Sequence, residues 1–496
     1  MSTAYANRDL ATAASSERRR PHPGPLPWMD SWSSISRAWL VAADAAALAF
    51  SFSAVVILRS LLFSGNLPPL HFGLYLAVAA WFLFRWTSGR YSFGQLAPEE
   101  LRFSFTASFI AGLIHLGVLV ADGELAAYRL ISLLIWPAVL PFTYSLREIV
   151  RSRLIAKGRY GVPVVVVGNG LAARRALREL QAQPALGFRP VAMFSTERAK
   201  PQELRQMVGV PMIGRSEEAA TYDFPHQVRH ALLAVGEGWQ DARNHQLAAQ
   251  LGRRFKHLQI FTNLTGTGHW VTQARPLGPY VTIHTRNVRL TAHQRLLKRA
   301  MDVAISLPAL LFSSPFILLA GLAIKISDPG PIFFSQTREG RGGKPIKIWK
   351  LRSMIQGAEA KLAKHLAGNP AARFEYERTM KLRDDPRILP VGKLIRKASI
   401  DELPQLWSIL KGDMSLVGPR VMPTREVDLY SEEGRDMRRD MPPGLTGFWQ
   451  VEHRNDSDFQ VREVADSFYV ANWSVWLDLW IILRTVRVVL SGAGAF

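Results

Sequence analysis

Polar and apolar positions alternate along this chain on the scale of whole segments. Residues 1–36 are polar and proline-rich, with RRRPHPGPLP at 18–27, and read as a disordered basic arm. No apolar run with a small-residue cleavage site follows those arginines promptly, so the arm does not read as a secretory signal. Four apolar stretches follow, near 39–63, 70–86, 103–121 and 129–146, interrupted by Asp44, His115 and Pro137. A crossing helix needs about 20 apolar residues, and these stretches predict four transmembrane helices within 37–150. The flanking charges agree. Arg18, Arg19, Arg20 and Arg37 precede the first stretch, and the loop 64–69 carries no charge. Arg85, Arg90 and Arg102 lie around 85–102, only Asp122 and Glu124 in 122–128, and Arg147, Arg151, Arg153, Lys157 and Arg159 after the fourth. Basic and non-basic loops alternate, as the positive-inside rule demands. A helical soluble core is the other source of such runs, and it does not explain this alternation.

Residues 151–290 predict a Rossmann-like cytoplasmic α/β domain. Val162–Val167 is a continuous buried-strand run, Gly168-Asn169-Gly170 a tight turn and Leu171–Gln181 a helix. Further strands fit at 190–194, 210–213, 230–235 and 258–262. A strand–Gly-x-Gly–helix unit can hold phosphate at a helix N-terminus. Here Ala173 replaces the third glycine, and Glu197 is the nearest acid to serve a ribose. No Tyr-x-x-x-Lys pair occurs, which argues against a short-chain dehydrogenase or epimerase. Nucleotide binding and a purely structural or regulatory role both stay open.

Residues 291–496 form the last domain, mainly helical. Met301–Ile324 is apolar and about 36 Å long if helical. Arg295, Lys298 and Arg299 precede it and Lys325 follows, so both flanks belong in the cytoplasm. Ser314-Pro315 sits mid-stretch, where proline removes an internal hydrogen bond. A re-entrant helix over 301–324, bent at Ser314-Pro315, satisfies both facts; a kinked true span is the alternative. Near the C-terminus, Trp473–Leu490 reads equally as an interfacial amphipathic helix or as a tryptophan-rich core helix.

Composition narrows the chemistry. Among 496 residues there is no cysteine, which excludes disulfides, thiolate metal sites and a thiol nucleophile. The net charge of +21 invites a polyanionic partner: nucleic acid, an anionic membrane face or a phosphorylated substrate. Residues 291–496 hold 30 Lys+Arg and 23 Asp+Glu, so most of the excess lies earlier, beside apolar stretches. That distribution is unlike a basic stripe with interleaved aromatics, and no nucleic-acid partner is expected.

The densest chemistry lies in 385–420. The carboxylates Asp401 and Glu402 sit among Arg387, Arg396, Lys397, Lys411 and Arg420, with Lys350 and Arg352 upstream. Arginine forks suit phosphate oxygens. A carboxylate can hold Mg²⁺ while substrate phosphates complete its shell. Its neighbour can then attack phosphorus. A capping box of Ser399 with Glu402 is the bland alternative, and spacing alone leaves it open.

This segment closely resembles the bacterial sugar transferase family, the monotopic phosphoglycosyl transferases. The matching residues are Lys298-Arg299-x-x-Asp302, Ser314-Pro315, Asp328-Pro329-Gly330-Pro331, Gln336-x-Arg338-x-Gly340, Lys350-Leu351-Arg352-Ser353-Met354 and Asp385-Pro386-Arg387. They continue through Arg396-Lys397-x-Ser399-x-Asp401-Glu402-Leu403-Pro404, Ser415-Leu416-Val417-Gly418-Pro419-Arg420 and Pro443-Gly444-Leu445-Thr446-Gly447. The resemblance covers about 200 residues, and the whole plan is similar to the large membrane members. It implies a UDP-hexose donor, a polyprenyl (undecaprenyl) phosphate acceptor and Mg²⁺ at the bacterial inner membrane, with both polar domains cytoplasmic. It implies Asp401 as nucleophile and Glu402 as Mg²⁺ ligand. Lys350, Arg352, Arg387, Arg396, Arg420 and Arg454 would be phosphate-binding residues. A homodimer is the default expectation for a large member. The ending Asp466-Ser467-x-Tyr469 with Gly494-Ala495-Phe496 leans toward the galactose type. One departure is Glu452-His453-Arg454-Asn455, where members carry Ser-Gly-Arg-Asn; Arg454 is kept, but sugar selectivity is put in question. A catalytically silent membrane regulator that senses a nucleotide is the competing class, and the intact Asp401-Glu402 pair weighs against it.

Overall fold

The computed structural model describes residues 32–63, 72–91, 93–94, 97–123, 126–168, 170–195, 210–224, 228–236, 242–262, 270–277, 280–287, 289–379, 382, 385–452 and 459–491. Residues 1–31 of the basic arm, Glu197, Arg454 and Gly494–Phe496 lie outside them. The chain divides into two compact units, 1–264 and 265–496.

The first unit opens with α1 (Trp32–Leu62), α2 (Phe72–Thr87), α3 (Ala97–Ala121) and α4 (Ile135–Ala156). Small residues Ala47, Ala77, Ala107 and Ala111 let the helices approach closely around Trp81 and Trp136. Other apolar side chains, among them Trp39, Phe72, Trp86 and Phe109, are exposed, as lipid-facing residues must be. All four N-terminal apolar stretches form helices. The second helix has 16 described residues, about 24 Å, short of a bilayer's hydrocarbon core. Among the described residues four helices are long and apolar enough to cross, and the fourth is in the other unit: 34–62, 97–121, 131–156 and 292–327.

After α4 the hydrophobic period shortens to strands. The elements are β1 (Val162–Gly168), α5 (Gly170–Ala182), β2 (Phe188–Ser195), β3 (Met212–Arg215), β4 (His230–Gly236), α6 (Ala242–Arg254) and β5 (His257–Thr262). They build a five-stranded sheet in the order β3-β2-β1-β4-β5, parallel throughout. Val165 and Val167 enter the core on one face, Val164 and Val166 that on the other. A parallel sheet buried on both sides requires such an unbroken apolar run. Gly168 ends β1 against β4, where a Cβ would stand 1.9 Å from the Ala234 carbonyl oxygen, so no other residue fits.

The second unit begins with an antiparallel hairpin, β6 (Trp270–Leu277) and β7 (Tyr280–Asn287), which the sequence reading missed. Its signal was Gly278-Pro279 between two β-rich runs. Next comes α7 (Ala292–Ser327), 36 residues and about 54 Å of continuous helix. Pro315 has no N–H to give the Leu311 carbonyl, and Ser314 Oγ donates to that oxygen at 2.8 Å instead. Both halves of α7 pack on the polar part of this unit. Ile305, Ala309 and Leu310 join a core with Ile348, Leu406, Ile409 and Met414. Ile317, Ala320 and Ile324 join one with Leu351, Leu389 and Ile395. Leu311, Phe312, Leu318 and Leu319 stand exposed.

The polar part holds the hairpin β8 (Phe333–Glu339) and β9 (Pro345–Leu351), then α8 (Pro390–Lys397), α9 (Gln405–Lys411) and the parallel pair β10 (Ser415–Val417) and β11 (Gly444–Thr446). It closes with α10 (Phe448–Glu452), α11 (Phe459–Ala471) and α12 (Val475–Ser491). Asp478 of α12 is fully buried, accepts from Lys298 Nζ at 2.8 Å and Tyr469 Oη at 2.7 Å, and Leu477 and Ile481 are core residues. The first half of α12 is therefore a core helix rather than an interfacial one. Asp302 accepts from Ser415 Oγ and from Leu416 N at 3.0 Å. Lys298 and Asp302 are thus buried struts that tie α7 to β10 and α12.

Candidate active site

The acidic pair sits on a single 3₁₀ turn, Ile400–Glu402. Ile400 packs with the Leu389 core and Leu403 with the Leu406 core, which leaves Asp401 and Glu402 to face outward. With three residues per turn their side chains diverge by about 120°. The turn follows Ser399, whose φ of +56° is the left-handed region; among the described residues no other non-glycine has a positive φ. Such a residue costs about 1–3 kcal/mol and persists where its surroundings over-determine it. The capping-box alternative fails here, because Ser399 caps with no side-chain hydrogen bond.

Lys350, near the end of β9, donates from Nζ to Glu402 Oε1 at 2.9 Å. Both side chains are partly exposed, so the pair adds at most about 1 kcal/mol to stability. Its effect is local field. Burial and the charge of Glu402 push the Asp401 carboxyl up to about 6, opposed by Lys350 and Arg396. Arg396 is half-buried, lies within electrostatic range of Asp401 and Asp385, and makes no ion pair among the described residues.

Two expected phosphate ligands have internal partners. Arg387 clasps Asp385, Nε to Oδ1 at 2.8 Å and Nη2 to Oδ2 at 2.6 Å. Burial opposes charge on Asp385, and the Arg387 hydrogen bonds outweigh it, holding its pKa below the usual range. Arg352 is buried with Nη1 3.2 Å from Asp328 Oδ2, and its Nη2 donates to the Asp328 carbonyl. Asp328 and Asp385 went unassigned in the sequence reading; Asp385, two residues from Arg387, had a local signal, and Asp328, 24 residues from Arg352, had none. Arg420 stands apart, with its guanidinium 5.8 Å from the centre of the Trp449 ring. The structure therefore gathers Lys350, Arg396, Asp401 and Glu402, and places Arg420 in a second group. Ser314 and Pro315 lie mid-helix on α7.

The two glycine motifs have a steric origin. A Cβ on Gly418 would stand 2.5 Å from the Pro442 carbonyl oxygen, and one on Gly444 2.2 Å from Gly418 N. The β10–β11 pair closes backbone to backbone, and it carries Arg420 at its exit. Gly418→Ala is expected to lower stability by about 1–3 kcal/mol through overpacking, read as a reduced thermal midpoint in detergent.

Residues 293–492 match the model of the bacterial sugar transferase family. The chain is also 32% identical over 430 residues to the undecaprenyl-phosphate galactose phosphotransferase of Salmonella typhimurium, covering 86% of this chain and 88% of that one. The chain belongs to the bacterial sugar transferase family. A second relative, the UDP-glucose:undecaprenyl-phosphate glucose-1-phosphate transferase of Escherichia coli, is 30% identical over 335 residues, 66% of this chain and 68% of that one. The exopolysaccharide production protein ExoY of Sinorhizobium fredii is 42% identical over 199 residues, 40% of this chain but 88% of its own. The transferase domain thus occurs nearly alone in one relative, and with a longer N-terminal region in this chain.

Proposed function

We propose that this protein transfers hexose-1-phosphate from a UDP-hexose, galactose foremost, to undecaprenyl phosphate and releases UMP. It would be the first membrane step of exopolysaccharide, capsule or O-antigen synthesis. The observation that carries the reading is the Asp401–Glu402 pair, turned outward on a strained turn between two packed anchors with Lys350 and Arg396 beside it. An Asp401 carboxylate oxygen attacks the β-phosphorus, the bond from that phosphorus to the bridging oxygen breaks, and UMP leaves with the electron pair. A phosphate oxygen of the lipid then attacks the same phosphorus and frees Asp401. Arg396 and Lys350 offset the negative charge gathered at phosphorus.

The donor set suits Mg²⁺, since an ion that keeps several waters needs only one or two carboxylates plus substrate phosphates. Glu402, which accepts from Lys350 on one carboxylate oxygen, would hold it. When bound, the ion neutralises charge on the diphosphate. Preference for galactose draws on the Salmonella relative's name and on its coverage of nearly the whole chain. A panel of UDP-sugars, with and without undecaprenyl phosphate and Mg²⁺, tests the reaction: UMP from UDP-galactose supports it, and UDP as product excludes it. UMP from UDP-glucose alone would keep the reaction and replace the sugar.

We read α7 as re-entrant. Both its halves pack on the same polar body, which is hard to reconcile with a helix that leaves that body on the far side of a bilayer. The parallel order β3-β2-β1-β4-β5 supports a Rossmann-like domain, and the basic run Arg147, Arg151, Arg153, Lys157 and Arg159 before it supports a cytoplasmic side. Because the chain has no cysteine, single substitutions report topology cleanly. Lys344→Cys, at an exposed position, should resist an impermeant maleimide in intact spheroplasts and react once the membrane is opened. Labelling from outside would mean that α7 crosses.

A further inference from the structure

Two adjacent phenylalanines open β8, and both rings are left about half exposed, Phe333 at 46% and Phe334 at 49%. Their neighbours differ. In the β8–β9 register Phe333 stands opposite Leu351, and Phe334 stands opposite Lys350. Directly opposed residues of an antiparallel pair share a face, with Cβ atoms about 4.5–5.5 Å apart. On the face of Phe334, Ile348 is buried in the core with Leu406 and Ile409. Two residues further along β9, Lys350 has left that core and donates to Glu402 Oε1 at 2.9 Å. Phe334 is thus an uncovered apolar ring beside the lysine that contacts the acidic pair.

The start of the same strand is tied to the long apolar helix. Ile332, one residue before β8, packs with Ile317, Ala320 and Ile324 of α7. The contact is close, since a Cβ on Gly321 would stand 3.0 Å from Ile332 Cγ2. Around Gly321, α7 exposes Leu318, Leu319 and Leu322. Phe334 therefore lies two residues from an anchor on the apolar helix and directly across the ladder from a residue of the candidate active site.

The chemistry of the pair selects its ligand. An exposed ring gains from apolar surface laid against it, and a lysine gains from an anion. Of the groups that the proposed reaction brings to Lys350, the acceptor alone joins a phosphate to a hydrocarbon chain. Its first isoprene is bonded to the phosphate oxygen, so a cation and a ring side by side on one ladder match both ends of that junction. The hexose of the donor, which also presents C–H groups, is the competing occupant.

We infer that Phe334 seats the isoprene units next to the phosphate of the acceptor lipid and is a specificity-determining residue for the second half-reaction. The inference rests on the proposed reaction and adds to it the residue that recognises the chain of the acceptor.

Phe334→Ala removes a ring from a half-exposed position, so thermal midpoint and membrane retention should not move. In the full-length protein kcat/KM for undecaprenyl phosphate is expected to fall about tenfold, the scale of one apolar side chain. Donor and lipid use the site in turn, so kcat/KM for the UDP-sugar and the UMP released with no lipid present should stay unchanged. Farnesyl phosphate should lose by the same factor, because the contact is with the units nearest the phosphate. Phe334→Leu should recover most of the loss. An unchanged kcat/KM for the lipid overturns the inference. A lower kcat/KM for the donor, or less UMP without lipid, gives the ring to the sugar instead. Loss of the variant from the membrane fraction makes Phe334 a bilayer anchor and also overturns the seat. If the unmodified protein releases no UMP with any sugar, the reaction itself is wrong. Calorimetric binding of farnesyl phosphate to the unmodified protein and to Phe334→Ala then decides the seat alone, and no difference between them overturns it.

Discussion

Asp401→Asn is expected to end UMP release from the UDP-sugar, with turnover falling by at least about 10⁴-fold, the scale on which losing a nucleophile acts. The amide keeps the shape of the side chain and the packing of Ile400 and Leu403 on either side of the turn, so membrane insertion and thermal midpoint should not move. An amide oxygen is a poor nucleophile toward phosphorus, and the first half-reaction stops. Glu402→Gln should lose less in the attack itself and more in Mg²⁺ dependence, because its assigned part is to hold the ion. The first half-reaction also makes a direct prediction. Incubated with donor and no lipid, the unmodified protein should release UMP in one stoichiometric burst and retain labelled sugar phosphate, while Asp401→Asn does neither. Sustained turnover by Asp401→Asn would remove the covalent route and leave direct attack by the lipid phosphate as the mechanism.

Why this dyad was legible in the sequence, while its surroundings were not, follows from what each residue contacts. Asp401 and Glu402 are adjacent in the chain and flanked by cations within a few positions, so local spacing carries the signal. The soluble sheet was readable for a similar reason: VPVVVV can hardly be other than a doubly covered strand, and the five strands appear close to where they were expected. Arg352 and Arg387 were expected to bind phosphate because of the family resemblance. Their partners Asp328 and Asp385 are what the structure adds, because the pairing of Arg352 with Asp328 spans 24 residues and no local pattern records it. Lys298 was quoted as part of a motif with no role, and its role lies 180 positions away at Asp478. Long-range polar pairs are invisible to periodicity. The same limit left α12 undecided between a core and an interfacial helix, because nothing local shows that the aspartate in its apolar run is fully buried.

Asp44 poses that problem in the membrane region, and substitution there should give the largest loss of stability in the first unit. The residue breaks the apolar run of α1 and looked like a defect in a span. It is fully buried and lies at the centre of the helix group, accepting from Arg85 Nε at 3.0 Å, Arg147 Nε at 2.8 Å and Tyr91 Oη at 2.8 Å. Arg85 also donates from Nη1 to Ser104 Oγ at 2.6 Å, and Arg147 to Glu100, so α1, α2, α3 and α4 meet in one network. Removing the carboxylate strips the buried Arg85 of its counter-charge and leaves Arg147 with Glu100 alone, which costs about 3–5 kcal/mol. Tyr91→Phe removes one neutral donor from an acceptor that keeps two others, and should cost about 1 kcal/mol. The order Asp44→Ala worse than Asp44→Asn, and both well below Tyr91→Phe in thermal midpoint, separates charge compensation from hydrogen bonding. The specific activity of whatever folds should be unchanged, because the network lies outside the unit that holds Asp401. A charged group in a span must be paired or face water. If Asp44→Asn melted with the unmodified protein, the arginines would have to be solvated rather than paired, and this end of the helix group would be open to water.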